Sequence, residues 1–423
     1  MLMNLQRLAA VLNTLVLRGA GAAVAVLFTV LVSRYLETRD AARFFLLFNI
    51  SVIAAVCYRW GLDEVIIRRV ASASASEVST LRMHLIVISH RRVLTWTGLS
   101  LILSLALQQP KISLVLYGFT FTEALGLSVA SALIALSACA ARAYQGEGRT
   151  NLATFLLNIV VPLFSLFGLL LLMAGGWRAN AEQLFFLYTA IVFFVYLSVI
   201  ATYRSPLSVL VRCTNSLDAA DRRADSRAAN KLGGVVLAQQ ILGWTALLVV
   251  PTVYGAELYK GFMVAQKIST LISLVMLAIN FTFSSRFAVL HAERKFNELR
   301  RIIRISFFTI LGASILASIA IMLFREQIFA FARIEKNMDA TLVVLLFSQV
   351  LFSVASLFSV VLSMCRDENF LLISQGAINF IGVLVFFCLS YFFAIEMACV
   401  SFVLGYLALS LILGVRVRNI TVA

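Results

Sequence analysis

The chain has 423 residues, of which 61% are hydrophobic and 13% charged, with a mean hydropathy of +0.97. Soluble domains carry nearer ~25% charged residues, so a water-soluble enzyme or binding module is excluded. The net charge of +15 would point to nucleic acid in a soluble protein, but the basic stretches lack aromatic residues spaced for base stacking. Basic loops beside membrane spans are the plainer cause.

An apolar run of about 18 residues or more matches a hydrocarbon core of roughly 30 Å. Twelve such runs are predicted as helices, at 8–33, 41–60, 90–109, 112–141, 150–174, 182–203, 230–252, 258–285, 303–325, 340–365, 369–393 and 396–415. The first is interrupted by Arg18 and continues to Ser33 without a small-residue cleavage site, so it reads as a helix rather than a leader. The connector 61–89 is long and basic, and 204–229 is a mixed-charge stretch carrying Asp218, Asp221, Arg222, Arg223, Asp225 and Arg227. The third long connector is 286–302, and the outer connectors are all short.

With the N-terminus placed in the cytoplasm, 24 Lys and Arg fall in cytoplasmic segments and 9 in outer ones. That asymmetry sets the orientation and predicts both termini inside. The predicted fold class is an all-α polytopic membrane protein of about twelve transmembrane helices. They would form two six-helix bundles, 1–210 and 230–423, joined by the cytoplasmic connector 211–229. The halves echo each other. In each, a long basic connector follows the second helix, and a short turn joins the fourth to the fifth (142–149 and 364–369). A parallel duplication about a pseudo-twofold axis along the membrane normal produces such a pattern.

Ionisable groups inside a span cost about 2.5–3.5 kcal/mol at its centre, so they mark partners or hydrated cavities. Arg18 lies roughly 15 Å into the first helix, with Thr14, Gly21, Ala22, Ala25 and Thr29 on its face. It lines a cavity or closes an ion pair at a packing interface. Lys267 lies inside the eighth helix beside a polar stripe of Gln266, Ser269, Ser273, Asn280 and Ser284, and the seventh helix adds Gln239 and Gln240. These four residues, Arg18, Lys267, Gln239 and Gln240, are the candidate substrate-binding set, with interhelical hydrogen bonding as the competing role for the last three. Glu123 reads as the only acid deep in a span. It either pairs with a cation such as Arg18 or takes up a proton during ion coupling. Cations in a cavity suit an anionic cargo, and a diphosphate offers many acceptor oxygens to Arg and Lys.

Six cysteines fall in or beside apolar runs without a Cys-x-x-Cys pair, and the three histidines, His84, His90 and His291, sit in or beside cytoplasmic connectors. No nucleotide, dinucleotide or zinc motif occurs, so no cofactor, metal or enzymatic activity is expected. The adjacent carboxylates Asp63 and Glu64 point about 100° apart on a helix, a poor catalytic pair.

Several segments, in order, resemble the polysaccharide transporter family, the O-antigen and capsule flippases of the multidrug/oligosaccharidyl-lipid/polysaccharide exporter superfamily. L-V-S-R-Y-L (31–36) is similar to the end of the family's first helix, and F-F-L-L-F-N (44–49) to its aromatic second helix. G-L-D-E-V-I-I-R-R-V-A (61–71) resembles its Gly-Leu, apolar, Arg pattern, and R-A-Y-Q-G-E-G-R (142–149) its turn after helix four. Residues 280–290 and the basic connector after them resemble the end of helix eight, where the family often has Pro and this chain has Ser284, Ser285 and Arg286.

The resemblance implies alternating access in the bacterial cytoplasmic (inner) membrane. Its cargo would be an undecaprenyl-diphosphate-linked oligosaccharide moved from the cytoplasmic to the periplasmic leaflet. Membrane lipids, a glycan polymerase and a chain-length regulator are the partners this implies, and nucleic acid is not. Two alternatives stay open: a multidrug exporter of the same superfamily, and a membrane glycan polymerase or ligase, which the short outer connectors disfavour.

Overall fold

The computed structural model describes residues 2–72, 78–107, 119–201, 219–335, 337–365 and 367–422. Every regular element among them is helical. In chain order they are α1 (Leu2–Tyr35), α2 (Thr38–Arg59), α3 (Leu62–Ser72), α4 (Val78–Leu107), α5 (Phe121–Gly146) and α6 (Thr150–Phe155). A π-turn (Leu156–Val160), α7 (Val161–Ala174) and α8 (Ala181–Ala201) follow. Then come α9 (Ala219–Val253), α10 (Gly255–Ser269), a 3-10 turn (Thr270–Ile272), α11 (Ser273–Ala292), α12 (Phe296–Leu323) and α13 (Arg325–Phe331). The chain ends with α14 (Asp339–Met364), α15 (Glu368–Phe392) and α16 (Ile395–Val422).

Ten spans among the described residues are long and apolar enough to cross a membrane, which makes this a multi-pass membrane protein. The two further predicted spans are helical where described, but neither is a clean apolar run. The span 90–109 falls on the second half of α4, which carries His90, Arg91 and Arg92. The span 258–285 is interrupted: α10 and α11 are separated by the 3-10 turn.

Helix ends differ from the prediction where polarity and helicity part company. The connector 61–89 contains α3 and the first turns of α4, because an amphipathic helix needs no continuous apolar run. On α3, Leu62, Val65, Ile66 and Val70 are buried against Leu85, Cys139, Ala143 and Ala229. Three of its four charges are drawn into ion pairs: Arg59 with Asp63 at 3.6 Å, Arg69 with Asp225 at 2.8 Å, and Arg142 with Glu64 at 3.9 Å. The carboxylates Asp63 and Glu64 lie in the first turn of α3, where the helix dipole favours negative charge. Similarly α9 starts at Ala219, within the mixed-charge connector.

The chain groups into two compact units. One holds Ala20–Phe28 and Arg43–Val236, the other Met1–Gly19, Thr29–Ala42 and Leu237–Ala423, so α1 contributes to both. In the first unit α5 is the hub, with α3, α4, α6 and α8 packed on it. Its buried residues are mostly small, including Gly126, Ser128, Ala130, Ser131, Ala135, Ala138 and Ala143. Small side chains let helices approach closely where lipid offers no hydrophobic drive to associate. In the second unit α14 takes the same part, with α10, α11, α12 and α16 against it.

Candidate functional site

Four of the five predicted site residues, Arg18, Gln239, Gln240 and Lys267, belong to the second unit, whereas Glu123 belongs to the first. Arg18 is half-buried at the middle of α1. Farther along α1, in the other unit, Gly21 lies so close to the π-turn that a Cβ there would stand 2.5 Å from the Asn158 carbonyl oxygen. The small residues of α1 thus serve close packing at that point. Gln239 and Gln240 are exposed on α9, about 21 Å before its end at Val253. An exposed carboxamide at such depth is favoured where water reaches it, since burial in hydrocarbon costs unpaired polar groups.

Lys267 occupies the last turn of α10, half-buried and about 18 Å from the helix start at Gly255. The α-helix stops two residues later at the 3-10 turn. Hydroxyls at this break satisfy local carbonyls: Thr270 Oγ1 donates to the Lys267 carbonyl at 2.7 Å, and Ser273 Oγ to that of Thr270 at 2.6 Å. A break at mid-span is the arrangement by which transporter helices present polar groups to a bound solute.

Glu123 is not deep in a span. α5 begins at Phe121 rather than near 112, which puts Glu123 in its first turn. Thr120 and Glu123 form a capping box, in which the carboxylate accepts from Thr120 N at 2.9 Å and the Glu123 backbone N–H donates to Thr120 Oγ1 at 3.2 Å. Arg43 of α2 supplies the cation. Its Nε and Nη2 each donate to one carboxylate oxygen at 2.5 Å, a forked pair. Glu123 is 2% exposed and the Arg43 side chain 34%.

Some polar residues escaped sequence reasoning. Lys260 is buried on α10, and its Nζ donates to the Arg333 carbonyl at 3.0 Å. Ser33 Oγ donates to the Ala332 carbonyl at 2.9 Å and Arg34 Nη1 to that of Phe331 at 3.5 Å. Three consecutive carbonyls at the end of α13 therefore take side-chain donors, two of them cationic, as a helix C-terminus favours. Gln375 and Asn379 are buried on α15, with Gln375 Nε2 donating to Ser359 Oγ at 3.0 Å and Asn379 Nδ2 to the Ala238 carbonyl at 2.8 Å. Their four-residue spacing on one helix face was the readable signal.

Among the described residues no group of three or more His, Cys, Asp or Glu is placed to hold a metal ion.

No protein-family model matches the sequence, and no curated protein matches it. Solved structures do match in fold over almost the whole chain. One is an inward-facing multidrug resistance MATE family transporter of the MOP superfamily, with a TM-score of 0.73, 14% identity and 95% of each chain covered. Its outward-facing counterpart gives 0.67 at 14% identity, covering 98% of this chain and 96% of that one. A MOP superfamily transporter from Pyrococcus furiosus, described as having a binding pocket of reversed polarity, gives 0.68 at 15% identity, covering 98% and 96%. The chain therefore has the fold of these transporters.

Proposed function

We propose that this protein is an exporter, moving an amphipathic organic solute across the membrane by alternating between inward-open and outward-open states. One observation carries the proposal: the fold likeness runs along nearly the whole chain to both an inward-facing and an outward-facing transporter. Multidrug export is the cargo reading that these structures favour. Its test is the susceptibility of a strain lacking the gene, and of one overproducing it, to a panel of amphipathic drugs. Lower tolerance in the first and higher tolerance in the second is expected; unchanged tolerance in both removes the multidrug reading.

A second reading rests on charge. The ionisable residues Arg18, at the middle of α1, and Lys267, at the break that ends α10, are cationic, and the one acid expected at such depth is held at a helix end by Arg43. An anionic cargo fits that balance better than a cationic drug, and a lipid-diphosphate-linked oligosaccharide is the anionic amphiphile named by the sequence resemblance. On the orientation read from the basic connectors, it would leave the cytoplasmic leaflet of the bacterial inner membrane, and a glycan polymerase with its chain-length regulator would act on the exported unit.

In this reading Arg18→Ala and Lys267→Ala each remove a charged hydrogen bond to the diphosphate. Such bonds contribute about 1.5–3 kcal/mol, so transport at low cargo concentration should fall roughly 10- to 100-fold. Lipid-linked units reaching the outer face of sealed vesicles provide the measurement, and normal transport by both variants removes the cationic-cavity idea.

A further inference from the structure

The basic end of α12 carries an arrangement that cargo transport leaves unexplained. One face of this helix is packed inside the protein, with Leu299, Ile303, Ser306 and Ile310 buried. The opposite face carries Ile305, Phe308, Leu316, Ile319 and Leu323, each at least 52% exposed. Their spacing of three, four or eight residues makes one stripe. In a membrane protein such a stripe meets acyl chains. The segment 305–324 has no charged residue and is bracketed by Arg304 and Arg325. At 1.5 Å per residue it spans about 30 Å, the thickness of the hydrocarbon core. Arg304 therefore stands at headgroup level.

Arg301 precedes Ile305 by four residues, and Arg304 precedes Phe308 by four, so both guanidinium groups extend the lipid-facing stripe. Arg300 lies one turn before Arg304, and all three are exposed. None of the three is in an ion pair among the described residues. Two nearby cations differ in this respect. Lys295, in the connector just before α12, is bonded to Glu293 at 2.8 Å, which raises its ammonium above the usual lysine range. At the far end of the helix Arg325 is paired with Glu326 at 3.3 Å and Asp339 at 3.2 Å. A general excess of basic residues in one set of connectors sets orientation. It does not gather three exposed arginines within five residues of one helix, two of them in line with its lipid-facing stripe.

We propose that Arg300, Arg301 and Arg304 form a docking surface for the phosphate of an anionic phospholipid, whose acyl chains lie along Ile305 and Phe308. Guanidinium groups donate two parallel N–H bonds to phosphate oxygens. A zwitterionic lipid brings its own ammonium group and gains less. The site is independent of the cargo.

The test uses the full-length protein in zwitterionic micelles, titrated with phosphatidylglycerol or phosphatidylcholine. Retained lipid is read by native mass spectrometry and the unfolding temperature is followed in parallel. Phosphatidylglycerol should be retained in preference and raise the unfolding temperature. In the R300Q/R301Q/R304Q variant its affinity should fall about 100-fold, from about fivefold per basic side chain. The unfolding temperature in phosphatidylcholine should stay unchanged. An R68Q/R91Q/R227Q variant removes three exposed arginines that lie on three different helices rather than together at one lipid-facing face, and should lose less than about fivefold. If the triple variant at α12 does not fold, R301Q/R304Q should show a loss of about 25-fold. Undiminished phosphatidylglycerol affinity in whichever of these two folds would overturn the proposal. So would an equal loss in the control variant, or protection by inorganic phosphate alone at the same concentration, which would assign the arginines to a free anion.

Discussion

Gly61→Ala, the addition of one methyl group, should lower stability by about 2–5 kcal/mol. Gly61 ends the turn between α2 and α3 with φ +74°, a conformation that costs an L-residue about 1–2 kcal/mol. The larger share is steric. A Cβ there would overlap the Ala229 carbonyl oxygen and stand 2.5 Å from the Gly233 nitrogen, both backbone atoms of α9. Backbone cannot rotate away, so the turn and α9 must separate, at the cost of overpacking, about 1–3 kcal/mol. Gly233 repeats the constraint from the other side, since a Cβ on it would stand 2.7 Å from Trp60 Cδ1. Gly148 is the control: its φ is +81°, but nothing lies within 4 Å of the place its methyl would take. Gly148→Ala should therefore cost only the conformational part, about 1–2 kcal/mol. Unfolding temperatures of the purified variants check this. At roughly 1 °C per kcal/mol for a chain of this size, the Gly61 variant should fall by about 2–6 °C and the Gly148 variant by about 1–2 °C; equal shifts would show that close packing on α9 is not the cause.

The second large effect concerns Arg43 and Glu123. Arg43→Gln leaves a carboxylate that is 2% exposed with, among the described residues, only Thr120 as donor. Removing one partner of a buried pair costs about 3–5 kcal/mol. Glu123→Gln should cost less, about 1–2 kcal/mol, because a glutamine oxygen keeps the Thr120 cap and the one-third-exposed Arg43 reaches a polar environment. The order Arg43→Gln worse than Glu123→Gln is the expected result in thermal unfolding, and the reverse order would contradict the burial argument. The same Glu123→Gln variant addresses ion coupling. A structural pair changes abundance and stability only, whereas a coupling acid also changes how transport depends on pH or sodium.

The helical, membrane-spanning character of the fold was legible because hydrocarbon thickness imposes long apolar runs. Helix ends were less so. The apolar stretch before Glu123 read as one span from 112, yet Thr120-x-x-Glu123 is a capping-box pattern that marks the start of α5. The partner of Glu123 was not readable, since Arg43 lies 80 residues away and is chosen by helix packing. α3 lies in what reads as a connector, because charged residues interrupt its apolar ones, and the packed cluster around Leu62 and Ile66 shows the face it buries. The break after Lys267 carries no Gly or Pro. It is recorded by Ser269, Thr270 and Ser273, whose hydroxyls bond the carbonyls there. Of the candidate site, the polar residues of α1, α9 and α10 could be picked from depth alone, while Lys260, Gln375 and Asn379 needed the packing to show that they are buried.

The central claim is that this chain moves an amphiphile across a membrane. Its most direct test is transport by the full-length protein reconstituted into sealed vesicles. Two fluorescent cargoes are offered in turn, an amphipathic cation and a polyprenyl-diphosphate-linked sugar, with proton and sodium gradients imposed separately. The account predicts that at least one crosses faster than in protein-free vesicles, saturably and in one direction. The cation crossing supports multidrug export, and the diphosphate crossing, lost in the Arg18 and Lys267 variants, supports the flippase reading. Both cargoes remaining at the protein-free rate under every gradient would contradict the account.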